Sequence, residues 1–293
     1  MKKIQPLPSL MICLTGYLLS FLLVISLFKS FTISNNILIT TFVLDLIATF
    51  VIFLLSMAFN NSSFYDPYWS LAPLPIFLTW SAQTATPDIN IFRQWIIIIL
   101  VFAWSFRLTY NWIRRWKGMA DEDWRYAMFR SESRLAYWLV SFFGFHVFPT
   151  IIVFIGCLSA YPAMCLSSQP LGTFDVIASL ICLVGITIES IADRQLKDFQ
   201  KTASNKSFLS YGLWKYSRHP NYFGEIVWWT GLFVFSAHFM PFKWYTLAGP
   251  VAMIIMFTLI SIPMMDKRMM TRKPGYADYA KKTSALLPWP WKI

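Results

Sequence analysis

Between Gly212 and Glu225 the chain gathers Trp214, Lys215, Tyr216, Ser217, Arg218, His219, Pro220, Asn221, Tyr222 and Gly224 into one short stretch. Proline suits the first turn of a helix, where its missing N–H costs nothing, so Pro220 places Tyr222 and Glu225 at a helix start. Asn221 and Glu225 then share one face. A helix start presents free N–H groups and a partial positive charge, and with Arg218 and His219 beside it the chemistry favoured is the binding of a phosphate. A basic loop ahead of a helix has no need of so many polar types.

Two further clusters flank it. In Glu189, Asp193, Arg194, Lys197 and Lys201, the residues Glu189, Asp193 and Lys197 fall on one helical face. An amphipathic helix end laced with ion pairs has the same spacing. The tail carries Asp266, Lys267, Arg268, Arg272, Lys273, Pro274, Gly275, Tyr276 and Tyr279, then Pro288 and Trp289. Arg268 and Arg272 share a face, and alone this reads as a basic interfacial helix with an aromatic anchor. Asp45 stands inside an apolar run, where an ionisable group either bonds one helix to another or serves function. No metal is implied: His146, His219 and His238 are scattered, and Cys13, Cys157, Cys165 and Cys182 lack the two-residue spacing of zinc or redox motifs. The cysteines read as small buried apolar residues.

The elements that must hold these residues are membrane helices. Of 293 residues, 57% are hydrophobic and 13% charged, and the mean hydropathy is +0.52; a soluble domain carries about 25% charge. Disordered, coiled-coil, collagenous and disulfide-stapled classes are excluded. Crossing the hydrocarbon takes about 20 apolar residues, and the runs that qualify are 7–28, 37–58, 69–82, 92–110, 137–160, 173–191, 222–239 and 243–263. The run at 69–82, broken by Pro73 and Pro75, is the weakest. The expectation is an all-α polytopic bundle of seven or eight spans, a single membrane domain over residues 1–293. The first run follows Lys2 and Lys3 as a secretory signal would, but it is too long and lacks a small-residue cleavage site, so it is read as retained.

If all eight runs cross, every one of the 25 basic residues except Lys29, Arg93 and Lys243 falls on one side. The positive-inside rule makes that side cytoplasmic. Topology and attraction to anionic lipid account for the net charge of +11. The basic residues sit at span ends and not in a soluble module, so nucleic acid is not an expected partner. No Gly-x-Gly-x-x-Gly follows a strand, so a Rossmann domain is not available to bind a dinucleotide.

The run from Gly212 to Glu225, followed by Gly275, Tyr276, Tyr279, Lys281, Leu287 and Pro288, resembles the carboxyl-terminal domain of the steroid 5α-reductase family. It is most similar to a bacterial, functionally uncharacterised branch, whose marks include Asp66, Trp69, Asp123, Arg125 and Tyr126. The resemblance runs from about residue 66 onward, after amino-terminal spans in 1–65, and is strongest from about Gly185. It implies a membrane enzyme that takes NADPH from the cytosol and reduces a carbon-carbon double bond conjugated to a carbonyl, in a lipid or steroid-like molecule. By match to the motif, Asp193, Asn221, Glu225 and Arg268 are the expected cofactor contacts, adjoined by Arg218 and Tyr222. Lys201, Arg272 and Tyr279 complete the expected NADPH site from the flanking clusters.

In the family a Glu and a Tyr of the amino-terminal half hold the carbonyl. Here Asp66 stands for the Glu, the Tyr position falls near Trp104, and Tyr68 and Tyr110 are the substitutes. That departure leaves the substrate open. Two other readings are compatible with the same stretch: an isoprenylcysteine-type methyltransferase using S-adenosylmethionine, which shares an Arg-His-Pro-x-Tyr run, here Arg218 to Tyr222, and a non-catalytic sterol-binding relative.

Overall fold

Each long apolar run becomes helix, because in hydrocarbon every backbone N–H and C=O must find its partner within the segment. The computed structural model describes residues 6–83, 89–133, 136–204, 206–237, 239 and 241–289; His238, Lys2 and Lys3 lie outside them. In chain order the helices are α1 (Pro6–Ser30), α2 (Ile37–Ala58), α3 (Tyr68–Leu71), α4 (Pro73–Gln83), α5 (Ile91–Arg115) and α6 (Trp124–Ser133). They continue with α7 (Tyr137–Leu158), α8 (Tyr161–Cys165), α9 (Thr173–Thr202), α10 (Pro220–Ala237), α11 (Trp244–Arg272) and α12 (Tyr276–Lys282). Among the described residues there is no strand, and one isolated bridge joins Ser217 to Ser284.

Among the described residues, six helices are long and apolar enough to cross a membrane: Leu7–Ser30 within α1, then α2, α5, α7, α9 and α11. The chain is a multi-pass helical membrane protein. Two of the eight expected runs differ. The run at 69–82 divides at Ala72, and the 11 residues of α4 fall short of the hydrocarbon thickness. The 18 residues of α10 begin with Pro220, Asn221 and Tyr222 and include Glu225, which makes that helix too polar to qualify by composition. Conversely, α9 runs beyond its apolar part, so Glu189, Asp193, Lys197 and Lys201 stand on one continuous helix.

The chain forms two compact units, Met1–Ile89 with Val101–Cys157, and Asn90–Leu100 with Leu158–Ile293. The first is centred on Cys13, Tyr17, Ile52, Phe64, Tyr65 and Tyr68. A π-helical stretch, Ser141–Val147, lies within α7. There His146 is fully buried, with Nε2 3.1 Å from Ser56 Oγ and Nδ1 2.8 Å from the carbonyl of Ser141.

In the second unit α9 and α10 approach closely. A Cβ on Gly224 would stand 2.9 Å from the carbonyl oxygen of Gly185, and one on Gly231 would stand 2.8 Å from the backbone nitrogen of Cys182. Small residues that let backbones meet are how membrane helices associate without a hydrophobic driving force. This packing carries Glu189 and Glu225 on its two partners. At the other end of α9, Arg93 is fully buried and bidentate on Asp175, at 2.6 and 3.0 Å, and also donates to Ser167, Gln169 and Pro170. That satisfaction is what a buried guanidinium requires.

Candidate functional site

In the carboxyl-terminal unit the central group is Asp266, near the end of α11. Its Oδ2 accepts from Arg218 Nη2 at 2.7 Å; its Oδ1 accepts from the Tyr276 hydroxyl at 2.6 Å and faces His219 Nε2 at 3.1 Å. Arg218 Nη1 donates to the carbonyls of Ala280 and Thr283. The chain after α12 lies along the same stretch, with Arg218 N donating to Ser284 O at 2.9 Å and Trp289 N to Tyr216 O at 3.1 Å. Arg218 is therefore a strut that joins the stretch before α10 to α11 and α12, its charge offset by Asp266; only Nε is buried without a partner.

Asn221 and Glu225 follow on α10. Asn221 Oδ1 is shielded from solvent and has no hydrogen-bond partner. Glu225 is buried and accepts from Trp229 Nε1 at 3.1 Å. The ring of Tyr222 lies stacked on His219 at 5.1 Å and on Phe257 at 4.6 Å. Arg268 is half-buried and Arg272 exposed, on the turns of α11 that follow Asp266. Tyr279 donates its hydroxyl proton to the carbonyl of Trp214, and burial pushes the phenol well above its usual range. Asp193 is half-buried on α9, whereas Lys201 is exposed and pairs with Asp198 at 2.6 Å on its own helix. Sequence reasoning counted Asp266 in the tail cluster without a role. The signal available was one carboxylate inside a strongly basic run.

The amino-terminal unit holds the other expected residues. Tyr68 is buried and donates to Asp45 Oδ1 at 2.7 Å; Asp45 Oδ2 is buried without a partner. Both residues line a cavity of about 40 Å³ with Phe21, Thr41, Ile76 and Thr79. Trp104 is buried edge-on to Trp69 at 5.8 Å. Tyr110 is 48% exposed on α5, its ring parallel to Phe106 and its face under Arg114.

Asp66 is half-buried and accepts from the Tyr126 hydroxyl at 2.5 Å. Burial pushes its carboxyl up from 3.8 to about 6, opposed by the positive charge of Arg125. The folded protein thus holds the Asp66 proton more tightly than the unfolded chain does. Stability from this group is fully present below pH 3.8 and is lost as the pH rises to about 6. Asp66→Asn, which still accepts from Tyr126, is expected to remove that slope, worth about 1–3 kcal/mol. Thermal unfolding midpoints of both proteins across the acid range test it, and parallel curves would show that Asp66 does not titrate there.

The model of a family described as "Protein of unknown function (DUF1295)" matches residues 52–283. "Uncharacterized protein C594.04c" of Schizosaccharomyces pombe is 25% identical over 251 residues, covering 76% of this chain and 73% of its own length. No solved structure matches.

Proposed function

The chain belongs to the DUF1295 family, and from that premise we propose that it is a membrane-embedded reductase that uses NADPH to reduce a carbon-carbon double bond conjugated to a carbonyl, in a lipid or steroid-like substrate. The observation that carries this reading is the start of α10. There Asn221 presents a shielded acceptor with no partner, and Glu225 is buried on the same face. An acceptor left unpaired in a buried place costs about 1–3 kcal/mol, and a cofactor amide or hydroxyl is the kind of donor that would satisfy it. Arg268 and Arg272, next along α11 from Asp266, are the cations for the phosphates. Arg218, engaged by Asp266, positions the loop.

When bound, the cofactor supplies a hydride; the protein must steady the negative charge that develops on the substrate's carbonyl oxygen. The resemblance draws that group from the amino-terminal half; there we infer the buried Asp45–Tyr68 pair, with Asp66, held by the Tyr126 hydroxyl, as the alternative. With Oδ1 held by Tyr68, Asp45 leaves Oδ2 without a partner beside the small cavity that both residues line. Tyr110, exposed on α5, has no part in this reading.

The test is ligand-dependent stabilisation of the purified protein in nanodiscs. NADPH at 100 times its dissociation constant should add about 2.7 kcal/mol, S-adenosylmethionine nothing, and Glu225→Gln should weaken the NADPH effect while keeping the Trp229 bond. Stabilisation by S-adenosylmethionine instead would transfer the site to methyl transfer. Stabilisation by neither would remove the cofactor reading.

A further inference from the structure

The carboxyl-terminal half of α5 carries a feature that the reductase reading does not use. Phe102, Phe106 and Tyr110 are 56%, 60% and 48% exposed, and their rings form a parallel ladder, Phe102 on Phe106 at 6.1 Å and 22°, Phe106 on Tyr110 at 6.0 Å and 7°. At the end of the ladder the Arg114 guanidinium lies over the Tyr110 ring, 5.1 Å from its centre. Arg115 follows, its Nε donating to the carbonyl of Asn111 at 3.2 Å. Among the described residues no carboxylate stands within ion-pair distance of Arg114 or Arg115. The nearby Asp121 is taken by the backbone N–H of Lys117 at 3.0 Å.

We propose that this end of α5 binds an anionic phospholipid, its phosphate on Arg114 and Arg115 and one acyl chain along Phe102, Phe106 and Tyr110. Charge complementarity selects the headgroup, because two exposed guanidinium groups without a counter-ion sit where a membrane helix meets the headgroup layer. The cation–π contact with Tyr110 holds the Arg114 guanidinium at the end of the ladder, and a guanidinium can grip phosphate oxygens in pairs. The dimensions agree: Phe102 to Arg114 is about 18 Å by helix rise, close to one leaflet of roughly 15 Å. An acyl chain therefore runs the length of the ladder when its phosphate is at Arg114.

Native mass spectrometry of the full chain, released from mixed micelles of phosphatidylglycerol and phosphatidylcholine, tests the site. The wild type is expected to retain phosphatidylglycerol several-fold over phosphatidylcholine. Arg114→Ala with Arg115→Ala should abolish that preference, Tyr110→Ala should reduce it, and Tyr110→Phe should keep it. Arg194→Ala, at a guanidinium that is 85% exposed on α9, should change nothing. Equal retention of the two lipids, or an equal loss in Arg194→Ala, overturns the proposal. Displacement of the lipid by inorganic phosphate at matched concentration overturns the lipid assignment and gives the site to a soluble anion.

Discussion

Asp266→Ala is expected to destabilise the protein by about 3–5 kcal/mol, the usual cost of removing one partner from a buried ion pair. Arg218 and Asp266 are 12% and 11% exposed at their side chains. The carboxylate also receives the Tyr276 hydroxyl and faces His219. Alanine leaves a guanidinium shielded from water with no counter-ion, and it frees the loop before α10 from α11. Arg218→Ala removes the cation instead and leaves Asp266 to Tyr276 and His219, so the double variant should be less destabilised than the sum of the singles. The readout is the thermal unfolding midpoint in detergent. An Asp266→Ala protein within 1 kcal/mol of wild type, on the order of the worth of an exposed pair, would mean that the network is solvated and carries no structure.

The helical, membrane-spanning character was legible because the bilayer imposes it residue by residue: a run that must lie in hydrocarbon has to be apolar along its length. The reading weakened where a helix is not bounded by hydrocarbon, at the short α4 and at the polar start of α10. Residue roles were harder to see. Arg218 beside a helix start has the pattern of a phosphate ligand, and nothing local tells that a carboxylate 48 positions on would take its charge. Likewise Tyr68 and Asp45 are 23 positions apart, and Arg93 and Asp175 are 82 apart. Periodicity reports which residues share a face of one helix, not which faces meet. The glycines were a missed signal. Gly185 follows Ala178 and Cys182 on α9, and Gly224 and Gly231 are one heptad apart on α10, small-residue spacings that mark two membrane helices in close contact.

Asp45→Asn is expected to lower the turnover of an enone lipid roughly 100-fold, about the loss seen when one donor to a developing oxyanion is removed, with the thermal midpoint little changed. The fold is kept because Asn Oδ1 can still accept from the Tyr68 hydroxyl, now 2.7 Å away. The chemistry is lost because an amide N–H is a far poorer acid than a carboxyl at the moment the carbonyl oxygen takes up charge. Tyr68→Phe acts differently: it strips the carboxyl of its donor, so it should lower turnover and also cost about 1–3 kcal/mol of stability. Both are measured as cofactor oxidation with long-chain α,β-unsaturated ketones. NADPH affinity should be unchanged in both variants, which separates loss of the acid from loss of the cofactor. Full turnover in Asp45→Asn would place the acid elsewhere, and Asp66→Asn becomes the next variant to assay, since Asp66 is another carboxyl of this unit held by a tyrosine hydroxyl.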